Sequence, residues 1–594
     1  MDDDATVLVP FYGGAPERAA WDRLRAAAEE AGARRAVGAQ RERYRRRCEQ
    51  ELAALARLGI EPAVLLELSA IVHDLAARGV AFGPGYGPQC GSWLLCALGL
   101  TGVDPLEHGL PFLGLGRELE TRRLHLQVAS RSEQAELAAA IRRHGGRHTG
   151  AVAAQPELEV VIGRDPALGL TREMACMARD LDGGREWGPG RGACPWEDAQ
   201  ALRLMARGET EGVSVLDAGE VPAHLRRAAP RSLEEVVQVV AAAREGAPQG
   251  FLERYIRART GAERPEPPHP DLEPIVEPTA GIWLYREQIV EAVARLAGCG
   301  QEAAERAVQQ LAEESAHAHE GQHSRDLAGR IARTCAVPEA RGLYLVRALR
   351  RALARAVDRA ALLPGVIEAY RQAYYKAHYP AAFQAARLNA ALARIAPEEG
   401  ARYVGGSQGG VAPSPAREAL VAVCREAVRG GITVLPPSVN RSLWGFRAQD
   451  RWTLRFGLGA IATIDRTTAE RIVNYRRCGT YRSVADLLER GLGGIPDARR
   501  LEALVFAGAL DDLGGDRWRI WQQLQRVLDP DLMRQKTAES GVTPVDTGVE
   551  RLWQGGIPGP GWCFQRELDV LACVPSRQYF PEPAPADWTL RPVR

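Results

Sequence analysis

The stretch Gly83-Pro-Gly-Tyr-Gly-Pro-Gln-Cys-Gly-Ser92 runs directly into the apolar Trp93-Leu-Leu-Cys-Ala-Leu-Gly-Leu-Thr-Gly-Val-Asp-Pro105. A glycine-crowded loop that opens a helix brings main-chain N–H groups close to phosphoryl oxygens, and the helix N-terminus adds partial positive charge. The same glycines also suit a plain tight turn. The loop therefore defines a candidate anion site at Gly83, Gly85, Gly87, Gly91 and Ser92 that needs support from the rest of the chain.

Around that loop lie 594 residues, too many for one core and enough for three to five domains. Hydrophobic content of 46% and charged content of 25% are those of an ordinary globular chain. Lys+Arg of 76 against Asp+Glu of 75 leaves a net charge of +1, so any basic surface for nucleic acid must be local. Only Lys376 and Lys536 are lysines, and arginine carries the remaining positive charge. The 11 cysteines form no C-x-x-C pair, a reduced, cytoplasmic pattern rather than a disulfide framework or a zinc module. No apolar run reaches the ~18 residues of a membrane span, and Met1-Asp-Asp-Asp lacks the basic-then-apolar order of a secretory signal.

Residues 17–57 read as helices, with a basic run at Arg41, Arg43, Arg45, Arg46 and Arg47. Val64 to Ala77 reads as another helix, Val160-Val-Ile162 as a short buried strand, and 181–196 as a Gly- and Pro-rich linker. A helical region follows to about Ala393, interrupted at Arg264-Pro-Glu-Pro-Pro-His-Pro270, where proline forbids a helix. His317-Ala-His-Glu-Gly-Gln-His323 is the one metal-like cluster. His319 and His323 are four apart, yet no cysteine or paired acid completes a ligand set, so an exposed helix face is the expectation and no metal site is assigned.

The loop and its helix resemble the palm loop of the bacterial DNA polymerase III alpha subunit, the C-family replicative polymerases, written there GPGRGSGAGS. Tyr86, Pro88, Gln89 and Cys90 depart from it. Glu277-Pro-Thr-Ala-Gly-Ile-Trp-Leu-Tyr-Arg-Glu-Gln-Ile289 resembles the fingers segment EPTYGIILYQEQV. Tyr370-Arg-Gln-Ala-Tyr-Tyr-Lys-Ala-His-Tyr-Pro380 is similar to YQTAWLKAHYP, and Arg455-Phe-Gly-Leu-Gly-Ala-Ile461 to RFGLGAI. Gly457 to Leu513 resembles the family's tandem helix-hairpin-helix domain, with Thr463 and Asp465 where its hairpin carries glycines. Phe564-Gln-Arg-Glu-Leu-Asp-Val-Leu571 resembles the linker helix before its OB-fold.

The resemblance implies a mainly α fold with a small α+β palm remnant in a palm, fingers and helix-hairpin-helix architecture. The expected divisions are a helical leader at 1–58, a truncated palm at 59–180, fingers at 181–395, a connecting region at 396–450, the tandem hairpins at 451–515 and a C-terminal segment at 516–594. Neither the family's N-terminal PHP phosphoesterase domain nor its OB module finds a counterpart in this sequence.

The resemblance also sets a chemical test. Nucleotidyl transfer needs two metal ions held by acidic side chains, and the family carries two of the aspartates in the strand motif PDFDVDF. The matching stretch Arg122-Arg-Leu-His-Leu-Gln-Val128 places Leu124 and Leu126, or His125 and Gln127, at those i, i+2 positions. A third aspartate belongs to FDFLGL, which Asp165-Pro-Ala-Leu-Gly-Leu170 resembles with one residue inserted; Asp165 is the candidate catalytic remnant. Substitute acids would be Glu118 with Glu120 or Glu157 with Glu159. The basic RRAMGKKK of the fingers corresponds to Val308-Gln-Gln-Leu-Ala-Glu-Glu314, and FNKSHS to Val357-Asp-Arg-Ala-Ala-Leu362.

The expected function is a noncatalytic relative of that subunit, a pseudoenzyme acting as a DNA-binding or assembly component in DNA replication or repair. It would be cytoplasmic, with no cofactor, DNA as a partner, other replication or repair proteins as possible partners, and no membrane. The alternative is an active minimal DNA polymerase using magnesium at a rebuilt site, and a further one is a protein-binding platform that does not touch DNA. Candidate DNA contacts are Arg347, Arg351, Arg355 and Arg359, spaced four apart as one helical stripe, with Lys376, Arg466, Arg471, Arg476 and Arg477.

Overall fold

In the computed structural model the described residues are 6–11, 18–113, 121–145, 158–183, 196–243, 250–315, 321–395, 415–461, 463–492 and 498–513, with isolated positions to 524. Glu118, Glu120, Glu157, His317, His319, Lys536 and 564–571 lie outside them. The chain divides into two units, Met1–Arg172 with Gly188–Tyr374, and Glu173–Trp187 with Tyr375–Arg594. The first unit combines a small mixed sheet with many helices, and the second is helical around three short strands, which is the mainly α architecture expected.

In the first unit, strand β1 (Val7–Phe11) is followed by helices α1 (Arg18–Arg35), α2 (Ala39–Leu58), α3 (Pro62–Ala77) and the short α4 (Trp93–Ala97). Strand β2 (Arg123–Val128), helix α5 (Arg131–Gly145) and strand β3 (Leu158–Arg164) come next. The sheet order is β1-β3-β2, with β3 central, antiparallel to β1 and parallel to β2. Leu124, Leu126 and Val128 alternate into a core shared with Leu24, Cys48 and Leu52. The helices expected as a leader thus share the sheet's core through their apolar stripes.

The glycine loop is pinned to α2 by a buried carboxylate. Glu51 is fully buried and accepts hydrogen bonds from Ser92 Oγ at 2.7 Å, Trp93 N at 2.8 Å and Leu94 N at 2.9 Å. Arg47, one turn earlier, donates to Glu51 at 2.6 Å and also to the carbonyls of Gly91 and Leu110. Ser92 caps α4 by accepting from Leu95 N at 3.2 Å. Gly85 sits at φ +125, and a Cβ there would come within 2.6 Å of Cys90 Sγ, so only glycine fits.

Helices α6 (Pro166–Leu181), α7 (Ala199–Ala206), α8 (Val221–Ala228), α9 (Leu233–Ala243) and α10 (Phe251–Arg259) lead toward the fingers-like segment. There α11 (Arg286–Ala297), α12 (Gln301–Ser315), α13 (Gln322–Thr334) and α14 (Glu339–Leu353) bury one apolar core. The Glu277-to-Ile289 motif is explained by its hydrogen bonding. Gln288 accepts from the N–H groups of Leu284 and Tyr285 and donates to Ile275 O and Thr279 Oγ1, which closes the turn that starts α11.

Helix α15 (Arg359–His378) follows, and in the second unit α16 (Pro380–Leu392) and α17 (Pro415–Arg429) pack beside a sheet of order β4-β6-β5. These strands are β4 (Thr433–Leu435), β5 (Arg447–Ala448) and β6 (Thr453–Arg455). Asn389 holds the backbone of Phe446 from both sides, accepting its N–H at 2.6 Å and donating to its carbonyl at 2.9 Å. Helices α18 (Arg466–Tyr475) and α19 (Ala498–Phe506) share that core through Ala469, Ile472, Leu501 and Leu504. Gly459 lies so close to Trp444 that a Cβ would meet the indole at 2.6 Å.

Glu51→Ala leaves the Arg47 guanidinium buried without its carboxylate. It is expected to cost about 3–5 kcal/mol, read as a fall in the urea midpoint of the transition that reports the first unit.

Candidate functional site

Strand β2 presents its two sides differently. The leucines face the core, and His125 and Gln127 face the glycine loop. Gln89 accepts from His125 N at 3.1 Å and donates to His125 O at 2.5 Å, Tyr86 stacks on the His125 ring at 4.8 Å, and Gly83 N donates to Gln127 O at 2.9 Å. The register left open by the sequence is thereby decided: an imidazole and an amide occupy the face toward the loop. Neither is an oxygen anion of the kind that holds magnesium.

Asp165 follows β3 and spends its carboxylate on the start of α6, accepting from Ala167 N at 3.0 Å, while its own N–H donates to Val128 O at 2.9 Å. Burial pushes the Glu368 carboxyl of α15 above its usual range, Arg371 draws it back and Asp165 raises it further. Glu159 is paired with Arg123 at 2.8 Å across the strands. Among the described residues no three His, Cys, Asp or Glu side chains are grouped to hold a metal ion. The donor set on this palm strand does not fit a two-metal centre.

Beside the loop lies a cavity of about 930 Å³. Its wall includes Pro88 and Gly91 of the loop, Gln309 and Glu313 of α12, and Asp358 and Ala360 at the start of α15. The two segments that the sequence matched to RRAMGKKK and FNKSHS therefore line one space with the loop. Arg57 pairs with Glu302, Arg286 bonds Glu305 at 2.5 Å, and Gln309 donates to Glu313 at 3.2 Å. Glu287, 7% exposed, also lines the cavity and accepts from Ala360 N at 3.1 Å. Burial first, and then the Asp358 carboxylate, pushes Glu287 up to about 7.

The arginine stripe is not continuous. Helix α14 ends at Leu353, so Arg347 and Arg351 share its exposed face but Arg355 lies beyond its end and Arg359 begins α15. A backbone bridge breaks the run: Val357 N donates to Leu284 O at 2.9 Å and Arg286 N to Val357 O at 2.8 Å. Arg359 turns inward, bonding Glu234 at 2.5 Å and His108 O at 2.8 Å with its guanidinium 5.3 Å from the Tyr285 ring. Asp358, which accepts from Ala361 N at 3.0 Å, was the readable sign of a new helix start.

In the second unit the hairpin candidates separate into two groups. Arg471 and Arg477 are exposed, and Arg466 is exposed beside Glu470 at 2.8 Å. Arg476 is instead structural, donating to Val439 O at 3.0 Å and Ser442 O at 2.6 Å, and burial lowers its pKa. Lys376 lies over the Phe383 ring at 5.3 Å. Asp465 caps α18 through Thr468 N at 2.7 Å and meets Arg500 at 2.9 Å, so its charge is balanced within the fold. Thr463 holds φ +71, a left-handed conformation that suits glycine, and its buried Oγ1 has no hydrogen-bond partner among the described residues. Glu51, Glu287 and Arg500 escaped the sequence reading, and only Arg47-x-x-x-Glu51 carried a signal, an i, i+4 pair on a helix.

Two outcomes follow from these environments. Thr463→Gly relieves the strained backbone and is expected to stabilise the second unit by about 1 kcal/mol, measured by thermal unfolding. Because the folded chain holds the Glu287 proton more tightly than the unfolded chain, the stabilisation this carboxyl gives at low pH is lost as pH rises from the ordinary glutamate range through about 7. Glu287→Gln should flatten that slope, by at most about 1.4 kcal/mol per pH unit, in unfolding midpoints taken across the window.

Residues 22–123 match the bacterial DNA polymerase III alpha NTPase domain, 184–332 the bacterial DNA polymerase III alpha subunit finger domain, and 431–520 a helix-hairpin-helix motif. The chain is 29% identical over 362 residues to the DNA polymerase III subunit alpha of Thermus aquaticus, covering 60% of this chain and 28% of that protein. It is 30% identical over 322 residues to the subunit of the same name from Halalkalibacterium halodurans, covering 54% and 26%. An error-prone DNA polymerase of Symbiobacterium thermophilum is 27% identical over 392 residues, 62% of this chain and 33% of that one. The chain thus spans about a quarter to a third of the length of these relatives. Loop, fingers and hairpins are thus all matched along one chain, and over these segments the protein is similar to the bacterial DNA polymerase III alpha subunit.

Proposed function

We propose that this protein is a noncatalytic relative of that subunit, a cytoplasmic DNA-binding or assembly component in DNA replication or repair. The observation that carries the reading is the cavity beside the glycine loop. Gln309, Glu313 and Asp358 line it at segments where the relatives' motifs place basic or neutral polar groups. A triphosphate brought there would meet carboxylates beside Arg57 and Arg286, each already engaged by a glutamate, and Arg306, a weaker complement than phosphoryl charge requires. The imidazole and amide on the loop-facing side of β2 support the same reading, since magnesium takes oxygen ligands. DNA contact is assigned to the hairpin segment, through the exposed Arg471 and Arg477, and to Arg347 and Arg351 on α14.

One observation favours a second reading. Asp165 and Glu368 lie close enough for one charge to raise the pKa of the other, which is how a rebuilt carboxylate pair would begin. Primer extension on a template with magnesium or manganese separates the two readings. No incorporation is expected, and incorporation abolished by Asp165→Asn would establish the polymerase.

Duplex binding followed by fluorescence anisotropy is expected to weaken steeply with salt. Replacing Arg471 and Arg477 together by alanine should lower the slope of log affinity against log salt by about two. Absence of salt-dependent binding would remove DNA from the proposal and leave a protein platform.

A further inference from the structure

Helices α13 and α14 concentrate positive charge. They pack so closely that a side chain on Gly342 would collide with the carbonyl of Ala328, and both turn apolar residues, Leu327 and Ile331 of one and Leu345 and Leu349 of the other, into a common core. Residues 322–353 carry seven arginines against Asp326 and Glu339, a net +5 in a chain of net +1. Arg325, Arg330 and Arg333 of α13 and Arg351 of α14 are exposed, and their guanidiniums make no hydrogen bond or ion pair among the described residues. Tyr344 stands 48% exposed on the side of α14 that carries Arg347 and Arg351, three and seven positions on. The Arg341 guanidinium lies 4.6 Å from its ring centroid and is fixed there by donating to Pro268 O at 2.8 Å.

We propose that this pair of helices binds single-stranded DNA, with a base stacked on the Tyr344 ring and the flanking phosphates against the arginines. The inference rests on the reading that α14 contacts DNA, and it names the strand state. Arginines alone would suit any polyanion. The ring narrows the choice, because a base lies flat on an aromatic side chain only when it is unpaired and free of its neighbours, and every base has such a face to offer. Drawing one out of a duplex costs its pairing and stacking energy, which a single strand does not have to meet in full. A carboxylate-rich peptide answers the charge but leaves the ring without a partner. Because Pro268 O holds Arg341 against the tyrosine, the platform is ordered before the strand arrives.

The test is fluorescence anisotropy of the full chain with a labelled oligothymidylate, with a duplex of the same length, and with polyglutamate as a competitor. Tyr344→Ala is expected to weaken oligothymidylate binding about tenfold or more, with its salt dependence and the duplex affinity unchanged, while Tyr344→Phe keeps wild-type affinity. Replacing Arg330, Arg333 and Arg351 together by glutamine should lower the slope of log oligothymidylate affinity against log salt by about two. All four positions are exposed, so the variants are expected to fold, and circular dichroism checks that they do. No saturable binding of oligothymidylate, an equal loss on the duplex in Tyr344→Ala, or full displacement by polyglutamate at matched charge overturns the proposal. A lowered slope in the arginine variant with wild-type affinity in Tyr344→Ala overturns the stacked strand while leaving α14 a DNA contact, so the two readings fail separately.

Discussion

The Glu51 carboxylate holds the first unit in its working arrangement. It gathers the Ser92 hydroxyl and the first two N–H groups of α4 on one side and the Arg47 guanidinium on the other. Arg47 in turn reaches the carbonyls of Gly91, just before α4, and of Leu110, well beyond it. A carboxylate buried to this depth is tolerable only because its partners are charged or point directly at it. Two residues on α2 therefore decide where the glycine loop lies against β2. They also commit the helix N–H groups that an incoming anion would otherwise use.

What that placement exposes differs from what the loop's glycines suggest. Beside it stand Gln309 and Glu313 on one helix and Asp358 at the start of another, so amide and acid share the wall with Arg57, Arg286 and Arg306. Phosphate sites rest on an excess of donors and positive charge, and here Arg57 and Arg286 are each engaged by a glutamate. The strand that would supply metal ligands instead spends His125 and Gln127 on ordering the loop itself, through Gln89, Tyr86 and Gly83. A fold and the charges that line its cavities have separate physical bases, because apolar packing and main-chain hydrogen bonds set the first and leave the second free to change.

The same separation shows in the arginines. Arg476, written beside Arg477 in the chain, is consumed by the carbonyls of Val439 and Ser442, whereas Arg477 is open to solvent. Arg359 braces His108 and Glu234, whereas Arg347 remains on an exposed helix face. Adjacent or evenly spaced guanidiniums do not form one surface unless the backbone between them stays regular.

The sequence by itself determined the resemblance to the bacterial DNA polymerase III alpha subunit, the mainly α class and the positions of the loop, the fingers motif and the hairpins. These are local matters of glycine placement, helix periodicity and short motifs. It also limited the side of β2 that can face the loop to two registers, because side chains alternate along a strand. Tertiary structure alone decided which register faces the loop, that the fingers acids and Asp358 share one cavity, and that Glu287 is buried among them. It alone ended the arginine stripe, through the bridge between Val357 and Leu284. Each of these depends on a contact between residues tens to hundreds of positions apart. A side chain's charge is written in the chain, but whether it meets solvent, a partner or an empty cavity is set only when distant segments pack.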